Sequence, residues 1–356
     1  MSVRSKSVLI LGGSGQAGAG AATQLRRWHP TLPLTIAGRD LARAQRVADE
    51  LGAASAVTID LERPDLGLAA DHGYSAVVAA LWDRKLSGLR FAQDRGLPYL
   101  SISSGLVEIA PEVVAGAQRA DAAPVLVASH YLAGLVVLAT LAAAEGFARV
   151  DAVRIGAVLD ETDAGGPAGM ADLERLSAAT SAGWVRRDGV FTWLAVADAE
   201  AGVRGVDGVE VPGQSIPVLD VPSIALATGA DDVRFDLAVG ESAGRRRGGS
   251  ASTEVRIDIE GADKAGDPAR TSRYLVHPAG QRPLTALGIA LGVERLLGLR
   301  GHAVAPGIYT PEALIDPRHA VEWMREIGTE FIDVQPTRVR TATARSTRWS
   351  ATTSRT

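Results

Sequence analysis

Val8-Leu9-Ile10-Leu11-Gly12-Gly13-Ser14-Gly15-Gln16-Ala17-Gly18 is the stretch whose reading decides the fold. Four apolar residues without a charge read as a strand buried on both faces. The glycines turn the chain sharply, and residues 19–28, rich in alanine and free of proline, predict a helix. Strand, glycine turn and helix form the setting in which backbone N–H groups and a helix dipole hold a pyrophosphate. The glycines satisfy G-x-G-x-x-G from Gly13 and G-x-x-G-x-x-G from Gly12, so two registers are open. An ordinary tight turn is the alternative.

The next element supports the first reading. Leu34-Thr35-Ile36-Ala37 predicts a second strand, at roughly the 20-residue spacing where a dinucleotide fold places its ribose contact. It ends in Gly38-Arg39-Asp40. An acid at such a tip suits a ribose hydroxyl, whereas Arg39 suits a 2′-phosphate, so NADP is expected over NAD. Asp40 is read as the cap of the following helix.

Composition bounds the rest. A chain of 356 residues is long for one domain, and two are expected. Hydrophobic residues make up 46% and aromatics only 4%, so the core is built from aliphatic side chains. A net charge of −4 gives no reason to expect nucleic acid or an anionic membrane as partner. With no cysteine there is no disulfide, thiolate nucleophile or cysteine-ligated metal, which suits a cytoplasmic location. Residues 1–7 are too short to read as a signal peptide, and Ser129, His130 and Glu145 interrupt the apolar run 125–147.

Along the chain, apolar runs at 56–59, 76–80, 99–102 and 125–128 alternate with helical patterns. This rhythm predicts an α/β fold: a Rossmann-type doubly wound parallel sheet over residues 1–130, completed by 303–335. Residues 131–302 read as an inserted α+β substrate domain. Within it a helix is expected at 132–147, a strand at 152–159 and a second helix at 170–181. Short antiparallel strands follow at 190–196, 209–211, 235–239, 254–259 and 273–276, then a helix at 285–299. A last helix is expected at 319–327. Residues 336–356 carry five arginines and no acid, and read as a basic tail without fixed structure.

In a doubly wound sheet ligands gather at the carboxyl ends of the strands. Gly12, Gly13, Ser14, Gly15, Gln16, Ala17 and Gly18, with Gly38, Arg39 and Asp60, are the expected adenosine and pyrophosphate contacts; Asp60 otherwise caps a turn. Ala80, Leu81 and Ser103 fall on the nicotinamide side. His130 and Tyr131, after the sixth strand, are the candidate proton donors, with Tyr309 as a third. The alternative is that both pack beneath the next helix, and an iminium substrate needs no donor. Asp160, Glu161 and Asp163 either hold a substrate amine or are solvated loop acids. Arg245-Arg246-Arg247 reads as a charged hairpin turn. Trp184 and Trp193 read as core anchors, and Arg154 faces either solvent or an interdomain cleft.

Three stretches resemble the saccharopine dehydrogenase-like family of NADP-dependent oxidoreductases. They are residues 8–18 with Ala37-Gly38-Arg39; residues 86–103 with Gly96-Leu97-Pro98-Tyr99-Leu100-Ser101; and residues 285–299 followed by Gly307-Ile308-Tyr309-Thr310-Pro311-Glu312. The resemblance implies a Rossmann domain, an inserted domain for substrate and dimerisation, a returning C-terminal segment and a homodimer. Its members act on C–N bonds in amino-acid, opine and polyamine chemistry, and some act on lipids. This chain departs from the family at Ser101, where an Asp is common, and at Ser129-His130-Tyr131-Leu132-Ala133-Gly134, where a Gly/Pro-rich turn is frequent.

Other chemistries lack their residues. No tyrosine has a lysine four positions later, which disfavours short-chain dehydrogenases. The six histidines are scattered, so no metal is expected. The expectation is an NADPH-dependent reductase of a C=N bond in an amino-acid-derived or alkaloid-like small molecule. A C=O or enoyl C=C reductase and a non-catalytic NADP sensor remain as alternatives.

Overall fold

The structure is a computed structural model, and it describes residues 6–69, 73–102, 105–106, 108–163, 171, 174–175 and 183–334. The uncharged run at the start forms β1 (Ser7–Leu11), buried from Val8 onward. Helix α1 (Gln16–Trp28) follows the glycines. Beside β1 lie β2 (Leu34–Gly38), β3 (Ala54–Thr58), β4 (Tyr74–Ala79), β5 (Tyr99–Ser101) and β6 (Pro124–Val127). A late strand, β15 (Gly307–Tyr309), adds next to β6. All pairs are parallel, in the order β15-β6-β5-β4-β1-β2-β3. Six of these strands have the 3-2-1-4-5-6 order of a doubly wound dinucleotide fold, as the alternating pattern predicts.

Helices cover both faces. α1 and α2 (Leu41–Leu51) close one side; α3 (Ser87–Asp94) and α4 (Ile109–Gln118) lie along the other. α2 begins where Asp40 accepts from the Arg43 N–H at 3.0 Å, the expected cap.

The second sheet is mixed. Its centre is β7 (Phe147–Asp160), flanked by β12 (Asp232–Gly240) in parallel and β13 (Thr253–Asp263) in antiparallel. Outward from β12 lie β11 (Glu210–Ser215) and β10 (Glu200–Arg204); outward from β13 lie β14 (Pro268–His277) and β16 (Glu330–Asp333). β8 (Trp184–Arg187) pairs with β12 and with β9 (Val190–Trp193). The helices α5 (Leu135–Ala144), α6 (Asp220–Thr228), α7 (Arg282–Leu296) and α8 (Pro317–Glu326) pack against this sheet around a second core.

α7 belongs to both cores. Leu284, Leu287 and Leu291 face the second sheet, while Ile289, Ala290, Val293 and Leu296 face the first. Gly288 and Gly292 let the helix lie close: a Cβ on Gly288 would stand 2.8 Å from Ala133 Cβ, and one on Gly292 2.5 Å from Leu100 Cδ1.

Several expectations are corrected. The helix expected from 132 starts at Leu135, because Tyr131–Gly134 forms a tight 3₁₀ turn with Leu132, Ala133 and Gly134 at φ 52°, 53° and 89°. Left-handed backbone costs a β-carbon residue about 1–2 kcal/mol. The surroundings hold it there: Gly288 abuts Ala133, and a Cβ on Gly134 would collide with Pro311. The strand expected at 152–159 runs 14 residues, Phe147–Asp160, and takes over the end of the expected helix. The strand expected at 190–196 ends at Trp193 and Val196–Ala199 makes a helical turn, and Arg245 and Arg246 sit on a short helix instead of a hairpin turn. The second sheet is mostly antiparallel, as expected, with β7 and β12 running parallel within it. α6 was not foreseen. The returning segment divides between the sheets, β15 joining the first and β16 the second. Trp193, expected as a core anchor, is 50% exposed and lies tilted against Trp184, which stacks on Phe191. Ser103, most of the helix expected at 170–181 and the tail 336–356 lie outside the described residues.

Candidate functional site

The glycine loop is built from close backbone approaches. Gly12 has φ +75° and its carbonyl accepts from Gly15 N–H at 2.8 Å. A Cβ on Gly13 would lie 2.8 Å from Ile10 O, and one on Gly18 would lie 2.6 Å from Gly12 O. Side chains at these positions would collide with the loop's own backbone and with β1 and β2. The N-terminus of α1 carries no side-chain cap, so its first N–H groups face the loop free. This fits a pyrophosphate: a bare backbone cradle, a helix dipole and no acid in the first turn.

The neighbouring contacts close around the same point. A Cβ on Gly38 would stand 3.3 Å from Ser14 Oγ, and the face of Gly12 is covered by Ala80 O and Leu81. Gly38, Ser14, Ala80 and Leu81 are therefore gathered at one edge of the sheet. Arg39 is exposed at the tip of β2 and makes no ion pair or hydrogen bond among the described residues. Asp60 is also exposed and accepts from Glu62 N–H at 2.9 Å, the turn-capping role.

At the other half of the edge the chain leaves β6 through Ala128, whose N–H donates to Ser101 O at 2.8 Å. His130 and Tyr131 follow, and both are clasped by α6, which packs on the second sheet. His130 Nε2 lies 2.8 Å from Ser223 Oγ, and the Tyr131 backbone N–H donates to Asp220 Oδ2 at 2.8 Å. Asp220 and Ser223 stand three residues apart on one helix face, so adjacent residues of the turn meet adjacent turns of the helix. The Tyr131 ring packs edge-on to Phe235, 5.3 Å between centroids.

Burial dominates the electrostatics here. It holds the His130 ring down at about 3, so the imidazole is neutral, and it pushes the Asp220 carboxyl up to about 7. The Tyr131 phenol is raised by burial and further by the nearby Asp163 and Asp220. His130 Nδ1, Tyr131 Oη, Asp220 Oδ1 and Glu312 Oε2 are buried atoms with no hydrogen-bond partner among the described residues. Such atoms are costly unless something else meets them.

Other candidates are placed elsewhere. The Tyr309 hydroxyl turns back toward the amino end of β15 and donates to Ala305 O at 3.1 Å, away from His130 and Tyr131. The loop acids are occupied: Asp160 accepts from Ser242 N–H, Glu161 pairs with Arg245, and Asp163 takes the Gln281 N–H and Arg282. Arg154 is exposed on the outer face of the second sheet. Asp220, Ser223 and Glu312 carry no role in the sequence reading. The signals for α6 were present, with Asp220 and Pro222 in its first turn and Gly229 as a left-handed end.

No family model and no curated protein matches the sequence. Among solved structures, the chain is similar to saccharopine dehydrogenase (L-Glu forming) from Saccharomyces cerevisiae, with TM-score 0.60 and 13% identity, covering 93% of this chain and all of that one. The fold resembles that of saccharopine dehydrogenase. A myo-inositol dehydrogenase from Corynebacterium glutamicum also aligns over 93% of this chain and 99% of its own, with 14% identity and TM-score 0.46. No helix among the described residues is long and apolar enough to cross a membrane.

Proposed function

We propose that the chain is an NADPH-dependent oxidoreductase that delivers hydride to a C=N bond, imine or iminium, of an amino-acid-derived or alkaloid-like small molecule. The observation that carries the reading is the pairing, on one sheet edge, of a bare glycine cradle with a clasped turn of buried polar groups. NADPH, when bound, supplies the hydride. The backbone of residues 12–18 holds the pyrophosphate, and Arg39, without an ion pair or hydrogen bond among the described residues, meets the 2′-phosphate. Ala80 and Leu81 line the passage toward the nicotinamide half.

Asp220 and Glu312 support the C=N acceptor, since neither has a cationic partner among the described residues and a cationic nitrogen would match them. His130 is neutral and orients through Ser223; Tyr131 keeps its proton at neutral pH. A carbonyl acceptor is a second reading, favoured by the unpartnered Tyr131 hydroxyl, which stands ready as a donor to oxygen.

The test is calorimetric titration of the full chain with NADPH and NADH, followed by NADPH consumption across a panel of cyclic imines and ketones. NADPH should bind more tightly, and imines should be consumed. Tight binding with no consumption in either panel would make the chain a sensor instead of an enzyme. No binding would remove the cofactor reading.

A further inference from the structure

Asp220 is fully buried at the first turn of α6, yet only one of its oxygens is engaged within the described residues. Oδ2 takes the Tyr131 N–H; Oδ1 is buried without a partner. A buried carboxylate of this kind ordinarily has an arginine, lysine or metal beside it.

The elements packed on α6 bring no such cation to Asp220. α5 has no titratable side chain. On β12, Arg234 and Asp236 pair with each other at 2.7 Å, and Asp232 takes the Asp188 N–H. On β8, Arg186 reaches Ala225 O at the opposite end of α6, and Arg187 is exposed. On β7, Arg149 pairs with Asp151, Asp160 binds Ser242 and Arg245, and Arg154 is exposed. The turn after β6 brings neutral His130 and the Tyr131 phenol, and the returning segment brings Glu312, whose charge opposes ionisation of Asp220. The missing counter-charge is therefore absent from every described neighbour.

The turn that Asp220 grips lies at the carboxyl end of β6, beside the tip of β5. That is the half of the edge left for the nicotinamide once the glycine loop has taken the pyrophosphate. The oxidised nicotinamide ring is a cation and the reduced ring is neutral. We infer that Asp220 is the counter-charge of the oxidised cofactor, so that the oxidised form binds with release of a proton from this carboxyl and the reduced form does not. Asp220 acts here as a positioning and charge-balancing residue through the Tyr131 turn. The inference rests on the cofactor reading above.

The two cofactor forms share every other ionisable group, including the 2′-phosphate, so the ratio of their dissociation constants isolates the ring. Below the carboxyl's own titration the ratio of oxidised to reduced constants should fall up to about tenfold per pH unit as pH rises, and flatten above it. The experiment measures both constants on the full chain from about pH 5.5 to about pH 8.5, for the wild type and Asp220→Asn. The slope should be present in the wild type and absent in the variant. A flat wild-type ratio, or the same slope in both proteins, overturns the inference while leaving the cofactor reading intact. Failure of either cofactor to bind overturns both. Should the variant not fold, wild-type calorimetry in buffers of different ionisation enthalpy decides: NADP⁺ should release about one proton per site below neutrality and NADPH none.

Discussion

A Cβ on Gly18 would stand 2.6 Å from the carbonyl oxygen of Gly12, so these two residues define the depth of the cradle. Gly18→Ala must push the loop off α1. We expect a loss of about 1–3 kcal/mol in stability, the range for overpacking, and at least a tenfold loss in NADPH affinity. Urea unfolding and calorimetry measure the two; unchanged affinity would show that the concavity is not the pyrophosphate seat.

Arg39 and Asp40 are neighbours with separable duties. Arg39→Ala should narrow the preference for NADPH over NADH by about 1–3 kcal/mol, the worth of charge-assisted bonds. Asp40→Ala should cost about 1 kcal/mol of stability through the lost cap and leave the preference unchanged. Binding constants for both cofactors in both variants distinguish the roles, and a preference lost in Asp40→Ala would reverse the assignment.

Stability should respond to pH through two opposed groups. Burial raises Asp220 from 3.8 to about 7, so over that window the folded state holds a proton that the unfolded state has lost, and stability falls as pH rises. Burial lowers His130 from 6.5 to about 3; there the unfolded state holds the extra proton, and stability rises with pH. The two largely cancel in the wild type. Asp220→Asn removes the falling contribution, so its stability relative to wild type should improve by a few kcal/mol between about pH 4 and about pH 7. Denaturant unfolding at both values checks this, and an unchanged difference would refute it.

Gly288 bears directly on the left-handed turn. Gly288→Ala would place a Cβ 2.8 Å from both Ala133 Cβ and Ala133 O and 3.0 Å from Leu132 O. Destabilisation of about 1–3 kcal/mol is expected, with the turn carrying Tyr131 displaced. Adding Ala133→Gly should restore only part of it, because the carbonyls remain. A double-mutant cycle reads the coupling, which should be at least about 0.5 kcal/mol; strict additivity would show that α7 and the turn do not press on each other.

The first half of the fold was legible because its signals are local. Uncharged strands, the glycines before α1 and the Asp40 cap need only their sequence neighbours. The turn at Leu132-Ala133 was misread because both residues favour a right-handed helix, and the residues packed against the turn, Gly288 beside Ala133 and Pro311 beside Gly134, lie far along the chain. Asp220 was invisible as a site residue for the same reason: its partner Tyr131 is 89 positions away, and its charge state comes from burial alone. Tyr309 was placed by strand position, and the backward turn of its hydroxyl to Ala305 has no sequence signature.

The double membership of α7 has a consequence for synthesis on the ribosome. His29 on the first sheet's helical layer meets Glu294 across 265 positions, and the aliphatic layer under β4, β5 and β6 is closed by residues 289–296. An emerging chain of a hundred or so residues therefore has its glycine loop but only an open hydrophobic face behind it. Vectorial folding of the first sheet cannot run ahead of the rest, and that nascent face is exposed until translation has passed α7. A chaperone acting co-translationally has its substrate in this interval, and a fragment ending before α7 should aggregate where the complete protein folds.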